Sequence, residues 1–249
     1  MDVYGLIGFP LAHSFSKKYF TEKFREERIA DTKFELFPLK TIAEIDELLS
    51  SNRTLKGLAV TIPYKVSVMP FLSKIEPSAN AIGAVNCIKI LPDKLIGYNT
   101  DFVGFEKSLL PLLNSHHRGA LVLGNGGAAK AVRFVLKKLN LPYLVITRDN
   151  NNVDGHLHYD QLNAGLLNNY PVIINCTPVG MHPFEDQQPA IPYSLLNSNN
   201  LLYDLIYNPE ETLFLKEGKA KGCQVKNGFE MLCIQAEENW KIWRSDSID

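Results

Sequence analysis

At 249 residues, 45% of them hydrophobic, the chain is long enough for one large domain or two small ones with a sizeable core. A formal net charge of −1 gives no electrostatic basis for binding nucleic acid or an anionic membrane. Four widely spaced cysteines, Cys87, Cys176, Cys223 and Cys233, form no C-x-x-C pair and read as reduced thiols, not as a disulfide frame. The first residues show neither the basic region nor the apolar core of a secretory signal. No run approaches the roughly 18 to 20 apolar residues of a membrane span, so a cytoplasmic location is expected. No metal site is expected: His156 and His158 lie two apart in a polar loop with no cysteine or carboxylate cluster nearby.

Val3 to Gly8 reads as a first strand, ending in Gly-Phe-Pro. A helical pattern starts near Ser16 and carries Phe20, Phe24 and Ile29 on one face. Ser14 and Ser16 therefore stand where a strand becomes a helix. One of them as an N-cap is the ordinary explanation. Two hydroxyls holding a small carboxylate at a helix N-terminus is the sharper one. Lys33 to Phe37 alternates like a half-buried strand, and Thr41 to Glu44 is a capping box opening a helix with Ile42, Ile45, Leu48 and Leu49 inward. Gly57 to Ile62 is a third strand, and the order β-α-β-α-β favours a parallel sheet with crossover helices.

Pro63 ends that strand and suits the first turn of a helix. Lys65 is then expected in this turn, where the positive end of the dipole disfavours its ammonium form. So placed, it trades protons or steadies a developing alkoxide; a solvated surface lysine is the plainer reading. Ala81 to Leu91, Pro92-Asp93 and Lys94 to Tyr98 read as a hairpin with Asn86 at its entrance. Asn99-Thr-Asp101 follows and precedes a helix through Phe102, Phe105, Leu109 and Leu110. Thr100 or Asp101 makes a good cap, and Asp101 gains interest only if the fold brings it to Lys65.

The second half is organised around Ala120 to Val132. Ala120 to Leu123 is a buried strand; Gly124, Gly126 and Gly127 follow, then a helix through Ala131, Val132, Val135, Leu136 and Leu139. This is the strand–turn–helix setting of a dinucleotide-binding loop, with Ala129 at the third small position. The next strand, Tyr143 to Arg148, ends where such a fold chooses its cofactor. Arg148 at the tip favours the extra phosphate of NADP, and Asp149 works against it. Val172 to Thr177 and Leu201 to Tyr207 are further strands whose ends, Thr177 and Tyr207, line the site. Gln187 to Asn200 reads as a Pro/Asn/Ser-rich surface connection. In the last helix Leu232, Ala236, Trp240 and Trp243 share a face, and Gln235 adjoins it, ordinarily as a polar residue at the solvent edge.

Seven motifs occur in order: Gly8 to Ser16, Val60-Thr-Ile-Pro-Tyr-Lys65, Gly83-Ala-Val-Asn86, Asn99-Thr-Asp101, Gly124-Asn-Gly-Gly-Ala128, Asn175-Cys-Thr-Pro-Val-Gly-Met181, and Gly228 to Gln235. Over nearly its whole length the chain resembles the shikimate dehydrogenase family. The resemblance implies two α/β domains facing a cleft. The first is a mostly parallel substrate-binding domain, residues 1–102 plus 228–249; the second is a Rossmann-like NADP-binding domain, residues 103–227. It implies reversible, NADPH-dependent reduction of 3-dehydroshikimate to shikimate in chorismate and aromatic amino acid biosynthesis, with NAD as a weaker alternative cofactor. Carried onto this chain, Lys65 and Asp101 match the catalytic pair, which also contacts substrate. Ser14, Ser16, Thr61, Asn86, Tyr207 and Gln235 match substrate contacts. Gly124, Asn125, Gly126, Gly127, Ala128, Thr147, Arg148, Thr177, Leu205 and Gly228 match or line the cofactor site. The chain departs from the family at Ala59, often Asn; at Lys17, commonly Pro; and at Thr147-Arg-Asp with Asn152, where a further basic residue is usual. A small-molecule substrate, no nucleic acid, no membrane, and a monomer or homodimer are the expected associations. A quinate/shikimate dehydrogenase with wider NAD/NADP use, and a non-catalytic NADP-binding sensor, are the competing readings.

Overall fold

The computed structural model describes residues 1–11, 15–148 and 156–245. The chain divides into two units, Met1–Thr100 with Gln235–Asp249, and Asp101–Ile234.

The first unit begins with β1 (Asp2–Gly8), α1 (Phe15–Glu26), β2 (Thr32–Pro38), α2 (Ile45–Ser51) and β3 (Leu55–Val60). Both β2 and β3 pair with β1 in parallel, as the β-α-β-α-β pattern requires. Helix α1 stops at Glu26, short of Ile29: Arg28 takes a left-handed backbone (φ 54°), and Ile29 reaches back to pack on the aromatic core. At the second helix Glu44 accepts the Thr41 amide at 3.0 Å, and a single 3-10 turn precedes α2. The strands β4 (Lys74–Ile75), β5 (Cys87–Leu91) and β6 (Lys94–Tyr98) complete a sheet ordered β2-β1-β3-β5-β6-β4. The sheet is mixed, because the β5–β6 hairpin also pairs antiparallel with β3.

Two expectations between residues 61 and 86 fail. No helix opens at Pro63: residues 62–68 form successive turns. The Lys65 carbonyl is taken by the Val85 amide at 2.7 Å, and Pro70 has no N–H to return to the Val66 carbonyl, so the α-helical ladder cannot run. The dipole expected at Lys65 is therefore missing. Nor does the hairpin reach back to Ala81, which belongs to a short helix α3 (Pro77–Ile82). That helix starts at Pro77, is capped by the Glu76 carboxylate on the Ser78 and Ala79 amides, and ends at a left-handed Gly83.

The C-terminal helix packs on this sheet. Trp240 and Trp243 join Tyr4, Phe20, Phe24 and Phe34, and Trp243 donates its indole N–H to the Ile88 carbonyl at 3.0 Å. Burial of each such ring contributes on the order of 2 kcal/mol or more.

The second unit runs α4 (Asp101–Leu109), β7 (Ala120–Leu123), α5 (Gly127–Lys138), β8 (Tyr143–Thr147), β9 (His156–His158), α6 (Ala164–Asn169), β10 (Val172–Asn175), β11 (Leu201–Asp204), α7 (Leu213–Ala220), β12 (Gln224–Lys226) and the start of α8 (Phe229–Arg244). All five pairings are parallel, and the order β12-β11-β10-β7-β8-β9 is that of a dinucleotide-binding sheet, with its switch point between β7 and β10. The four residues of β7 are all fully buried, as a central parallel strand demands. His156 and His158 lie in β9, paired with β8, and not in a loop. The 187–200 connection is only partly on the surface, since Ile191 and Leu196 enter the core.

Candidate active site

In the first unit the ends of β1 and β3 and the starts of β5 and the segment after β6 share one sheet edge, because β3 runs parallel to β1 and antiparallel to β5. Thr61 follows β3 and anchors to the Ile7 carbonyl at 3.0 Å. Lys65 is half-buried in the turns beyond it. Asn86 precedes β5, and its backbone is held at both ends, to Tyr98 and Val60. Ser16 is the second residue of α1, which follows β1. Ser14 lies outside the described residues. Asn86, Thr100, Gln235 and Asn239 form one buried hydrogen-bonded group, so Gln235 is an interior residue and not a solvent-edge one. Asp101 is buried and is the first residue of α4, in the second unit.

In the second unit the carboxyl ends of β7, β8, β10 and β11 carry the remaining candidates. Gly124 turns with φ +95°, a conformation that suits glycine, and a Cβ there would lie 2.9 Å from Thr177 Cγ2 across the switch point. A Cβ on Gly126, by contrast, would meet nothing within 4 Å, so the backbone is open to close approach at the N-terminus of α5. Asn125 is steadied by Arg133, whose guanidinium donates to its Oδ1 at 2.9 Å. Ala129 is fully buried and lets α5 pack close on β7. Thr147 ends β8 and is half-buried; Arg148 follows it, exposed. Asp149 and Asn152, which bear on cofactor choice, lie outside the described residues. Burial pushes the Tyr159 phenol up to about 12, against the opposing positive charge of Arg148. At Gly228 a Cβ would fall 2.1 Å from the Leu205 carbonyl oxygen, so only glycine lets the start of α8 lie against this strand end. Tyr207 stands just beyond β11, in the unit of the cofactor candidates, and burial raises its phenol.

Sequence reasoning missed the buried group beneath these ends. Asp204 is fully buried and accepts hydrogen bonds from Asn175 Nδ2 (3.0 Å), the Ile206 amide (3.0 Å) and Thr212 Oγ1 (2.6 Å). Burial nonetheless pushes its carboxyl up to about 6, the hydrogen bonds opposing it. Asn175 passes the constraint on, its Oδ1 receiving both the amide and the hydroxyl of Thr177. The only signal was the polar residue closing each of two apolar strands, Asn175 and Asp204. Among the described residues, no group of three or more His, Cys, Asp or Glu is arranged to hold a metal ion. No helix there is long and apolar enough to cross a membrane.

The family model for the shikimate dehydrogenase substrate binding domain matches residues 6–88. A shikimate dehydrogenase (NADP(+)) of Clostridium beijerinckii is 38% identical, the match covering 100% of this chain and 94% of the relative. That of Methanococcus aeolicus is 35% identical, covering 96% of this chain and 90% of the relative. In structure, the chain resembles a shikimate 5-dehydrogenase from Thermus thermophilus, solved in complex with NADP(H) and shikimate. The TM-score is 0.86 at 29% identity, over 98% of this chain and 94% of that one.

Proposed function

The chain belongs to the shikimate dehydrogenase family, and we infer that it catalyses the reversible NADPH-dependent reduction of 3-dehydroshikimate to shikimate, a step of chorismate and aromatic amino acid biosynthesis. The observation that carries this reading is the end-to-end match to the Clostridium beijerinckii enzyme, which takes in both units.

NADP is the cofactor, and the second unit fits it. Gly124 supplies the turn at the switch point, Gly126 the open backbone, and the N-terminus of α5 free amides for a pyrophosphate. Arg148 is the residue for the 2′-phosphate, with Thr147 before it; Asn125, Gly127, Ala128, Thr177, Leu205 and Gly228 line the remainder. NAD is the weaker alternative. Bound NADPH supplies the hydride.

The chain's own residues do the rest. As the ketone oxygen gains negative charge, the Lys65 ammonium steadies it, and the final proton comes from Lys65 or Asp101. Asp101 orients Lys65 and a hydroxyl of the substrate. Ser14 and Ser16 hold the carboxylate, and Thr61, Asn86, Tyr207 and Gln235 bind the ring oxygens. On this reading the substrate-binding domain is 1–102 with 228–249 and the cofactor domain is 103–227. The enzyme works in the cytoplasm as a monomer or homodimer.

The test is spectrophotometric: reduction of NADP⁺ and of NAD⁺ with shikimate and with quinate. Shikimate with NADP⁺ is expected to give the highest kcat/KM. Comparable turnover of quinate with NAD⁺ points to the broader dehydrogenase, and tight NADPH binding with no turnover points to a sensor.

A further inference from the structure

One backbone N–H settles the orientation of three buried amides. The Thr100 amide can only donate, and it lies 2.6 Å from Asn86 Oδ1, so that atom is the oxygen. The other end of the Asn86 amide is then NH₂, which donates to Thr100 Oγ1 at 3.0 Å and to Gln235 Oε1 at 3.4 Å. The Gln235 atom facing Asn86 must therefore be its oxygen. Asn239, one turn further along α8, approaches the same oxygen at 3.3 Å with its own NH₂. Its Oδ1 receives the Thr100 hydroxyl at 2.6 Å, closing the ring. All four side chains are buried, and all four belong to the first unit.

Gln235 Oε1 thus has both lone pairs engaged, and the amide nitrogen is turned the other way. We propose that Asn239 is a positioning residue for the dehydrogenase reaction: with Thr100 and Asn86 it holds Gln235 so that the residue meets the substrate as a hydrogen-bond donor, to a hydroxyl or carboxylate oxygen, and never as an acceptor. The proposal rests on the reading above that Gln235 binds substrate.

Two variants test it. Asn239→Leu keeps the branched outline of the side chain but removes both the donor to Gln235 and the acceptor for Thr100. Asn239→Asp keeps the shape and the acceptor for Thr100 but sets an oxygen against Gln235 Oε1. Both are expected to raise KM for shikimate about tenfold, the worth of one well-placed hydrogen bond. The kcat and the KM for NADP⁺ should stay within about twofold. In a Gln235→Ala background, Asn239→Leu is expected to change KM no further, because its route to substrate is gone. An unchanged KM in either folded variant overturns the proposal, as does an effect that persists without Gln235. Loss of cooperative melting or of NADP⁺ binding in both variants assigns Asn239 to the fold and overturns it equally. The underlying reading fails separately: the unaltered enzyme would not oxidise shikimate, or Gln235→Ala alone would leave KM unmoved.

Discussion

Lys65 reaches its position through a run of turns, not through a helix, so its task rests on the charge it carries to a developing alkoxide. Lys65→Ala is expected to lower kcat by about 10²- to 10⁴-fold, the usual range of acid–base assistance. KM should move little, since the contact strengthens mainly in the transition state. Steady-state kinetics with shikimate and NADP⁺ decide it, and near-full turnover would remove Lys65 from the mechanism. Arg148 is exposed at the tip of β8, where a planar guanidinium can meet a phosphate with two parallel hydrogen bonds. Arg148→Ala is expected to raise KM for NADPH about 10- to 100-fold, the worth of charge-assisted hydrogen bonds. KM for NADH should change by less than about twofold, and equal effects on both would refute the phosphate role.

At the scale of elements, segments with a wholly apolar run or a clear period were legible and short ones without either were not. The β7–α5 unit follows from its pattern alone, because a buried apolar strand, a glycine turn and an amphipathic helix each leave a local signature. The short helices α3 and α6, with β4, β9 and β12, span too few residues for any period to show. They form because a neighbour is there to pair with, as β8 is for β9. The run after Pro63 shows the converse: local chemistry favoured a helix, and a carbonyl captured by Val85 decided otherwise. How α8 docks is equally a tertiary matter. A Cβ on Gly57 would lie 2.3 Å from Trp243 Cδ1, so that glycine in β3 is the seat of the indole. Gly57→Ala is expected to cost about 1–3 kcal/mol by overpacking. Thermal melting should show a Tm lower by several degrees, and an unchanged Tm would mean that the indole has room to shift.

For the whole molecule, stability carries a pH term from Asp204. Its carboxyl is raised to about 6 from an ordinary value near 4, so the folded state holds the proton more tightly than the unfolded chain. That contribution is fully present below about pH 4 and is lost as pH rises through about 6, on the order of 3 kcal/mol in all. Denaturant midpoints measured between pH 4 and 7 are expected to carry this downward component, and Asp204→Asn to remove it. Identical pH profiles for the two proteins would show that the raised carboxyl does not govern stability.

Family and cofactor class were determined by the sequence itself, since glycine turns, strand-end polar residues and their order along the chain are local and need no partner to be read. Tertiary structure alone decided that Gln235 is interior, that Asn239 and Thr100 stand behind it, and that Asp204 is a buried carboxyl beneath the cofactor strands. A residue's burial and the direction in which an amide faces are set by groups far away in sequence, Asn86 and Gln235 being 149 positions apart, and no window along the chain contains both.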